Sequence, residues 1–155
     1  MDSAISRLQS LTVHDIMARD VVWVASRQHM SEVARLLLEH DISSAPVVDE
    51  QGTCIGILSA SDFLRRDAVE PHDGVLPHRS RPEWKPDDVA ATFMSTGVQS
   101  VPEQTPLLLA ARIMTAQHVH RLPVVDHHGR PVGIISTMDI IAALLNALQE
   151  QEISV

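Results

Sequence analysis

The chain has 155 residues, 45% of them hydrophobic, enough to bury a core as one compact domain built from two smaller units. Twelve basic against twenty acidic residues give a formal charge of −8, which argues against a general nucleic-acid binder whose affinity comes from neutralising phosphates. Asp139 and Asn146 interrupt the most apolar stretch, Val132 to Leu148, so no run reaches the ~18 residues a membrane span needs, and the single Cys54 excludes an intramolecular disulfide framework.

The first segment, MDSAISRLQS, lacks the basic start and apolar run of a secretory signal, and with the lone cysteine it reads as cytoplasmic. Ile5, Leu8 and Leu11 suit a short leading helix. Val21 to Val24 is an apolar run long enough only for a strand, and Met30, Val33, Ala34 and Leu37 then follow at the i, i+3, i+4, i+7 spacing of a helix face. After it come PVVD, a turn at Gly52, and CIGIL, the pattern of a β-hairpin with both strands buried. A second helix begins near Ser59. Val69 to Asp88 holds Pro71, Pro77, Pro82, Pro86 and Gly74, so it reads as an irregular connector that Trp84 pins to the surface.

The whole series then repeats. Val98 to Val101 is the second strand, and Leu107, Ala110, Ala111 and Met114 form the matching helix face, with Thr105 as its expected N-cap before Pro106. LPVVDHHGRPVGIISTMDI, Leu122 to Ile140, restates APVVDEQGTCIGILSASDF, Ala45 to Phe63, at a constant offset without a gap. The last helix starts near Ser136 and carries Ile140, Ile141, Leu144, Leu145 and Leu148. Each unit therefore reads β-α-β-β-α. The identities include Gly52/Gly129, Gly56/Gly133, Ser59/Ser136 and Asp62/Asp139, so turn chemistry and polar groups recur along with the apolar pattern. A polar site present in two copies points to binding.

VHDIMARDVVWV, a helix, and HDISSAPVVDEQGTCIGILSASDF together resemble the cystathionine-β-synthase (CBS) domain, and the second half resembles it again. The resemblance covers Val13 to Leu148 and implies a stand-alone tandem pair of α/β (α+β) class. Its segments are an N-terminal extension 1–12, repeats 13–68 and 89–148, a connector 69–88 and a tail 149–155. It further implies two sheets packed against each other about a pseudo-two-fold axis, with clefts that commonly hold adenosyl ligands: AMP, ADP, ATP, S-adenosylmethionine or NAD. A flat homodimer through helix faces and an unidentified protein target are also implied.

The sharpest polar signal is Ser-x-x-Asp after the third strand of each repeat, Ser59/Asp62 and Ser136/Asp139. A helix start offers unpaired N–H groups and a positive dipole end to a phosphate, and a carboxylate can accept both hydrogen bonds of a ribose diol. By resemblance, Asp62 and Asp139 are the ribose ligands, and Val21, Ile42, Ser43, Ser100 and Val119 line the clefts. The same residues also fit a capping box, in which serine caps the helix and the acid reaches back; the two readings are compatible. His120 and Arg121 stand where the first repeat has Ser43 and Ser44, so phosphate chemistry is available only in the second copy. Trp23 stands where the second repeat has Ser100; stacking on an adenine and filling the cleft both suit it, and filling is the expected role of so large an aromatic.

Other chemistries fit poorly. His118/His120 and His127/His128 lack the partners of a closed metal site, the glycines form no phosphate loop, and Cys54 has no base beside it. Duplicate sites without a unique acid, base and nucleophile speak against an enzyme. The sequence thus leaves two readings: a non-catalytic module that binds an adenosyl nucleotide between its repeats and signals by conformational change, as in energy sensing, or a ligand-free dimerisation and protein-interaction module.

Overall fold

The computed structural model describes residues 2–69 and 83–153. Most of the expected connector, 70–82, lies outside the described residues. In chain order the elements are α1 (Asp2–Ser10), α2 (Val13–Ile16), β1 (Val24–Ala25), α3 (Met30–Glu39), β2 (Ser44–Val48), β3 (Cys54–Ser59), α4 (Ala60–Val69), α5 (Ala90–Phe93), β4 (Val101–Pro102), α6 (Leu107–Gln117), β5 (Arg121–Val125), β6 (Pro131–Ser136) and α7 (Thr137–Ile153). They form two three-stranded sheets of order β1-β2-β3 and β4-β5-β6. Registers repeat as the sequence does: Val24 pairs in parallel with Val47, and Val101 with Val124.

Two compact units result, and they do not follow the sequence repeats. One contains the residues up to Val21, Gly52–Cys54 and the residues from Val98 on; the other contains Val22–Gln51 and Ile55–Gly97. The short helix that opens each repeat belongs to the unit holding the other repeat's sheet. In the first unit Val13 N–H donates to Thr105 O at 2.8 Å, and Ala18 bridges Ile134 through two backbone hydrogen bonds. In the second, Ala90 N–H donates to Gln28 O at 2.9 Å and Ser95 bridges Ile57 likewise. Each bridge brings a methionine and a carbonyl onto a strand glycine. A Cβ on Gly133 would sit 2.7 Å from both Ala18 O and Met17 Sδ, and one on Gly56 would sit 2.8 Å from Ser95 O and Met94 Sδ. Close backbone approach explains why these two glycines recur.

Cores follow the predicted faces. Val101, Leu107, Ala110, Met114, Leu122 and Ile135 form one, joined by Val13 and Met17 from the leading segment. Val24, Met30, Val33, Leu37, Val47 and Leu58 form the other. Burying one such side chain stabilises by about 1.5 to 3 kcal/mol, so each cluster is a substantial source of cohesion. Gly52 and Gly129 take φ of +81° and +75° in the hairpin turns, a backbone that glycine adopts without strain.

Three local expectations change. Helix α6 begins at Leu107 with Pro106 as its N-cap and without a side-chain cap; Thr105 is instead buried, its carbonyl taking the Val13 N–H. The hairpin strands are unequally covered. All of β2 is buried, whereas β3 and β6 mix buried and half-buried residues. The leading strands shrink to two residues each, Val24–Ala25 and Val101–Pro102.

Trp84 does pin its end of the connector. The Arg66 Cζ lies 4.1 Å from the Trp84 ring centroid, and Phe63 and His29 meet that ring edge-on at 6.1 and 5.9 Å. Arg66 also donates to Asp88 Oδ2 at 2.7 Å and to Glu83 O at 3.0 Å. Burial alone would raise the Asp88 carboxyl, but the Lys85 N–H and the Arg66 guanidinium outweigh it and hold the group below its ordinary value. The clasp anchors α4, whose first turn carries Asp62.

Candidate functional site

In the first unit the antiparallel register of β5 and β6 sets Arg121 opposite Ser136. The His120 carbonyl accepts the Thr137 N–H at 3.0 Å, which ties the start of β5 to the start of α7. Within that turn Ser136 donates to Asp139 Oδ2 from its N–H at 2.7 Å and from its hydroxyl at 2.8 Å. Asp139 N–H returns a bond to Ser136 Oγ at 3.2 Å, so the capping box is reciprocal. Asp139 is half-buried, and its Oδ1 has no hydrogen-bond partner among the described residues. Sheet register and helix start thereby gather His120, Arg121, Ser136 and Asp139.

The second unit repeats the scaffold with a different outcome. Ser43 O accepts the Ala60 N–H at 2.9 Å, the counterpart of the His120–Thr137 bond. Ser59 donates to Asp62 Oδ2 from its N–H at 2.7 Å and its hydroxyl at 3.2 Å, and shares a further bond with Ser61. Asp62 is only 4% exposed, and Arg65, one turn on, reaches its Oδ1 at 3.4 Å. Both oxygens of the first copy are engaged within the chain. The sequence reading passed over Arg65, although its i, i+3 spacing from Asp62 was the available signal.

The remaining predicted residues are spread more widely. Val21 and Ser100 are half-buried in the first unit, without a hydrogen bond to the Ser136–Asp139 turn among the described residues. Val119 and His120 border a groove of about 410 Å³ between α6 and α7, shared with Met114, Thr115, Ile140 and Ile141. Ser136 and Asp139 are not in its lining, but Thr137 between them and His120 are, so the groove adjoins the polar turn. Ile42 is half-buried and Ser43 exposed beside the start of α4. Trp23 is 53% exposed, contrary to the expected filling role; it stands just before β1, whose first residue Val24 enters the core.

Arg121 is exposed at the edge of this turn and brings the positive charge that an acidic chain otherwise supplies sparsely. Among the described residues no three His, Cys, Asp or Glu side chains gather as metal ligands, and no helix is long and apolar enough to cross a membrane. A helix start with an exposed arginine paired across the strands from its first turn and a carboxylate oxygen open suits a phosphorylated or diol-bearing small molecule.

The CBS domain family model matches residues 13–68 and 88–146. The chain belongs to the CBS domain family. Its two CBS repeats make it similar to the CBS domain-containing protein YhcV of Bacillus subtilis, 30% identical over 129 residues covering 83% of this chain and 82% of YhcV. The chain spans 63% and 43% of the length of related proteins from Methanopyrus kandleri and Methanocaldococcus jannaschii. Among solved structures, the CBS domain pair of protein MJ0100 in complex with 5′-methylthioadenosine and S-adenosyl-L-methionine is similar, at 25% identity and a TM-score of 0.72 over 88% of this chain and 97% of that one. The CBS domain of a membrane protein from Sphaerobacter thermophilus matches at 29% identity and a TM-score of 0.74, covering 92% of this chain and 93% of that one. The mixed α/β class and paired CBS architecture expected from the sequence are both present.

Proposed function

We propose that this CBS pair is a non-catalytic regulatory module that binds an adenosyl ligand at the Ser136–Asp139 turn of the first unit. One observation carries the reading: Asp139 keeps Oδ1 open beside a helix start and Arg121, whereas Asp62 is enclosed. The ribose diol meets Asp139, the N-terminal turn of α7 and Arg121 receive phosphate or another anionic group, and His120, Ser100, Val119 and Val21 shape the surroundings. Ser59, Asp62, Ile42 and Ser43 form a second, weaker position. The MJ0100 complex supports an adenosyl group as the ligand class.

AMP, ADP, ATP, S-adenosylmethionine and NAD all contain that group, and none is an obligatory cofactor in this reading. Binding regulates only if the ligand prefers one of two arrangements of the protein. A cytoplasmic homodimer that presents the change to a protein target completes the proposal, with repeats at 13–68 and 89–148 as its working parts.

The test is a thermal-shift series with AMP, ATP, NAD, S-adenosylmethionine and 5′-methylthioadenosine on ligand-free protein, followed by calorimetric titration. A ligand at 100 times its Kd stabilises by about 2.7 kcal/mol, which the melting curve resolves. No shift with any of the five would overturn the reading. It would leave a ligand-free interaction module, which the enclosed Asp62 favours for the second unit.

A further inference from the structure

We propose that Arg65 is a specificity-determining residue, an internal competitor whose guanidinium occupies the Asp62 oxygen that a ribose diol needs. It rests on the adenosyl reading above and adds a single transferable side chain that sets which copy of the turn takes the diol.

Both partners stand on α4. Their i, i+3 spacing puts them on one face and brings Arg65 Nη1 to 3.4 Å from Asp62 Oδ1. The other oxygen, Oδ2, already accepts the Ser59 N–H at 2.7 Å and its hydroxyl at 3.2 Å. A ribose diol donates from two neighbouring hydroxyls and needs open acceptor positions on the carboxylate. At Asp62 the cap holds one oxygen and the guanidinium the other.

The second copy keeps the cap and lacks the competitor. Asp139 Oδ2 accepts the same two bonds from Ser136, at 2.7 and 2.8 Å. The offset that aligns Asp62 with Asp139 aligns Arg65 with Ala142, an exposed residue whose methyl group can donate nothing to Oδ1. With the caps alike, the copies differ at the second oxygen.

Arg65 can be displaced at modest cost. Its side chain is 72% exposed, whereas that of Asp62 is 4% exposed. An ion pair with a solvent-exposed partner is worth up to about fivefold in an equilibrium, so a diol that enters the first copy loses affinity by about that factor. The next residue, Arg66, is fixed by Asp88 and stacked on Trp84, which anchors α4. Arg65 therefore leaves Asp62 by rotating its own flexible stem, without a shift of the helix.

Calorimetric titration with 5′-methylthioadenosine tests the proposal, because this probe carries the diol without a charge. In Asp139→Ala the second copy has lost its carboxylate, and the remaining binding reports the first copy. Adding Arg65→Ala to that chain should tighten binding about fivefold, and Ala142→Arg in the otherwise wild-type chain should weaken it about fivefold. Adding Asp62→Ala to the Asp139→Ala, Arg65→Ala chain should abolish the gain. Far-UV circular dichroism and the urea midpoint should not change in Arg65→Ala, since the pair is mostly exposed. Unchanged affinity in both exchanges, or a gain from Arg65→Ala that persists without Asp62, would overturn the proposal. The outcomes also separate it from the adenosyl reading. Binding by wild type that responds to neither exchange keeps the ligand and removes the role of Arg65. Binding by Arg65→Ala but not by wild type keeps that role and moves the ligand to the first copy, and binding by neither removes both.

Discussion

Asp139 holds Ser136 through Oδ2 alone, accepting both its N–H and its hydroxyl within 2.8 Å, so one carboxylate oxygen caps α7 while the other stays open. In the first copy Arg65 contacts the corresponding Asp62 oxygen. A cap and a ligand contact can coexist on Asp139. Removing the side chain therefore has two separable consequences.

Asp139→Ala should weaken adenosyl-ligand binding by about 1.5 to 3 kcal/mol, roughly ten- to 150-fold, the scale of hydrogen bonds to a charged group. It should also lower stability by about 1 kcal/mol through the lost cap. Asp62→Ala should reproduce the second effect and leave the tighter ligand affinity unchanged. Calorimetric titration and urea unfolding of both variants check this pair of outcomes. Equal affinity losses would place the ligand in contact with both aspartates.

Arg121 lies opposite Ser136 at the start of β5, and an exposed guanidinium can meet a phosphate in two parallel hydrogen bonds. Arg121→Ala should reduce affinity for ATP and AMP while leaving that for adenosine within about twofold, since each 1.4 kcal/mol is tenfold and the lost contacts concern phosphate alone. Parallel losses for all three would assign Arg121 to the fold instead.

Much of this was readable in the repeat. Periodicity located α3, α6 and α7, and the shared glycines located both hairpin turns, because those features depend on residues near in sequence. The exchange of leading helices was not readable: Val13 meets Thr105, and Gln28 meets Ala90, through backbone groups that any residue carries. The Ser-x-x-Asp turns were found, but their inequality arises from Arg65 and from burial of Asp62, which the motif does not encode. Trp23 was misread because it stands just outside β1, which begins only at Val24, a boundary that the apolar run Val21 to Val24 does not mark.

Gly133→Ala tests the exchange directly. Its Cβ would fall 2.7 Å from Ala18 O, and backbone cannot yield as a flexible side chain does. Overpacking of this kind costs about 1 to 3 kcal/mol, so the midpoint of urea unfolding should fall. Gly97→Ala is the control, since nothing lies within 4 Å of its added Cβ. A neutral Gly133→Ala would mean that the Ala18–Ile134 bridge is easily displaced.

The Arg66–Asp88 pair predicts a distinct acid sensitivity. Both side chains are under 10% exposed, so Arg66→Met strands a buried carboxylate and should destabilise by about 3 to 5 kcal/mol at neutral pH. Arg66→Met with Asp88→Asn should cost less than Arg66→Met alone, because no unpaired charge remains. The Asp88 carboxyl titrates below its ordinary value of 3.8 in the folded chain. Its contribution is therefore complete above the unfolded value and is lost as the pH falls through the lower, folded one. Unfolding free energies measured from pH 7 down to about pH 2 should show the wild-type chain losing stability below about pH 4 more steeply than the double variant. Identical slopes would show that Asp88 is protonated at the same pH in the folded and unfolded chains, and that the clasp is held by Trp84 stacking on Arg66 without its charge pair.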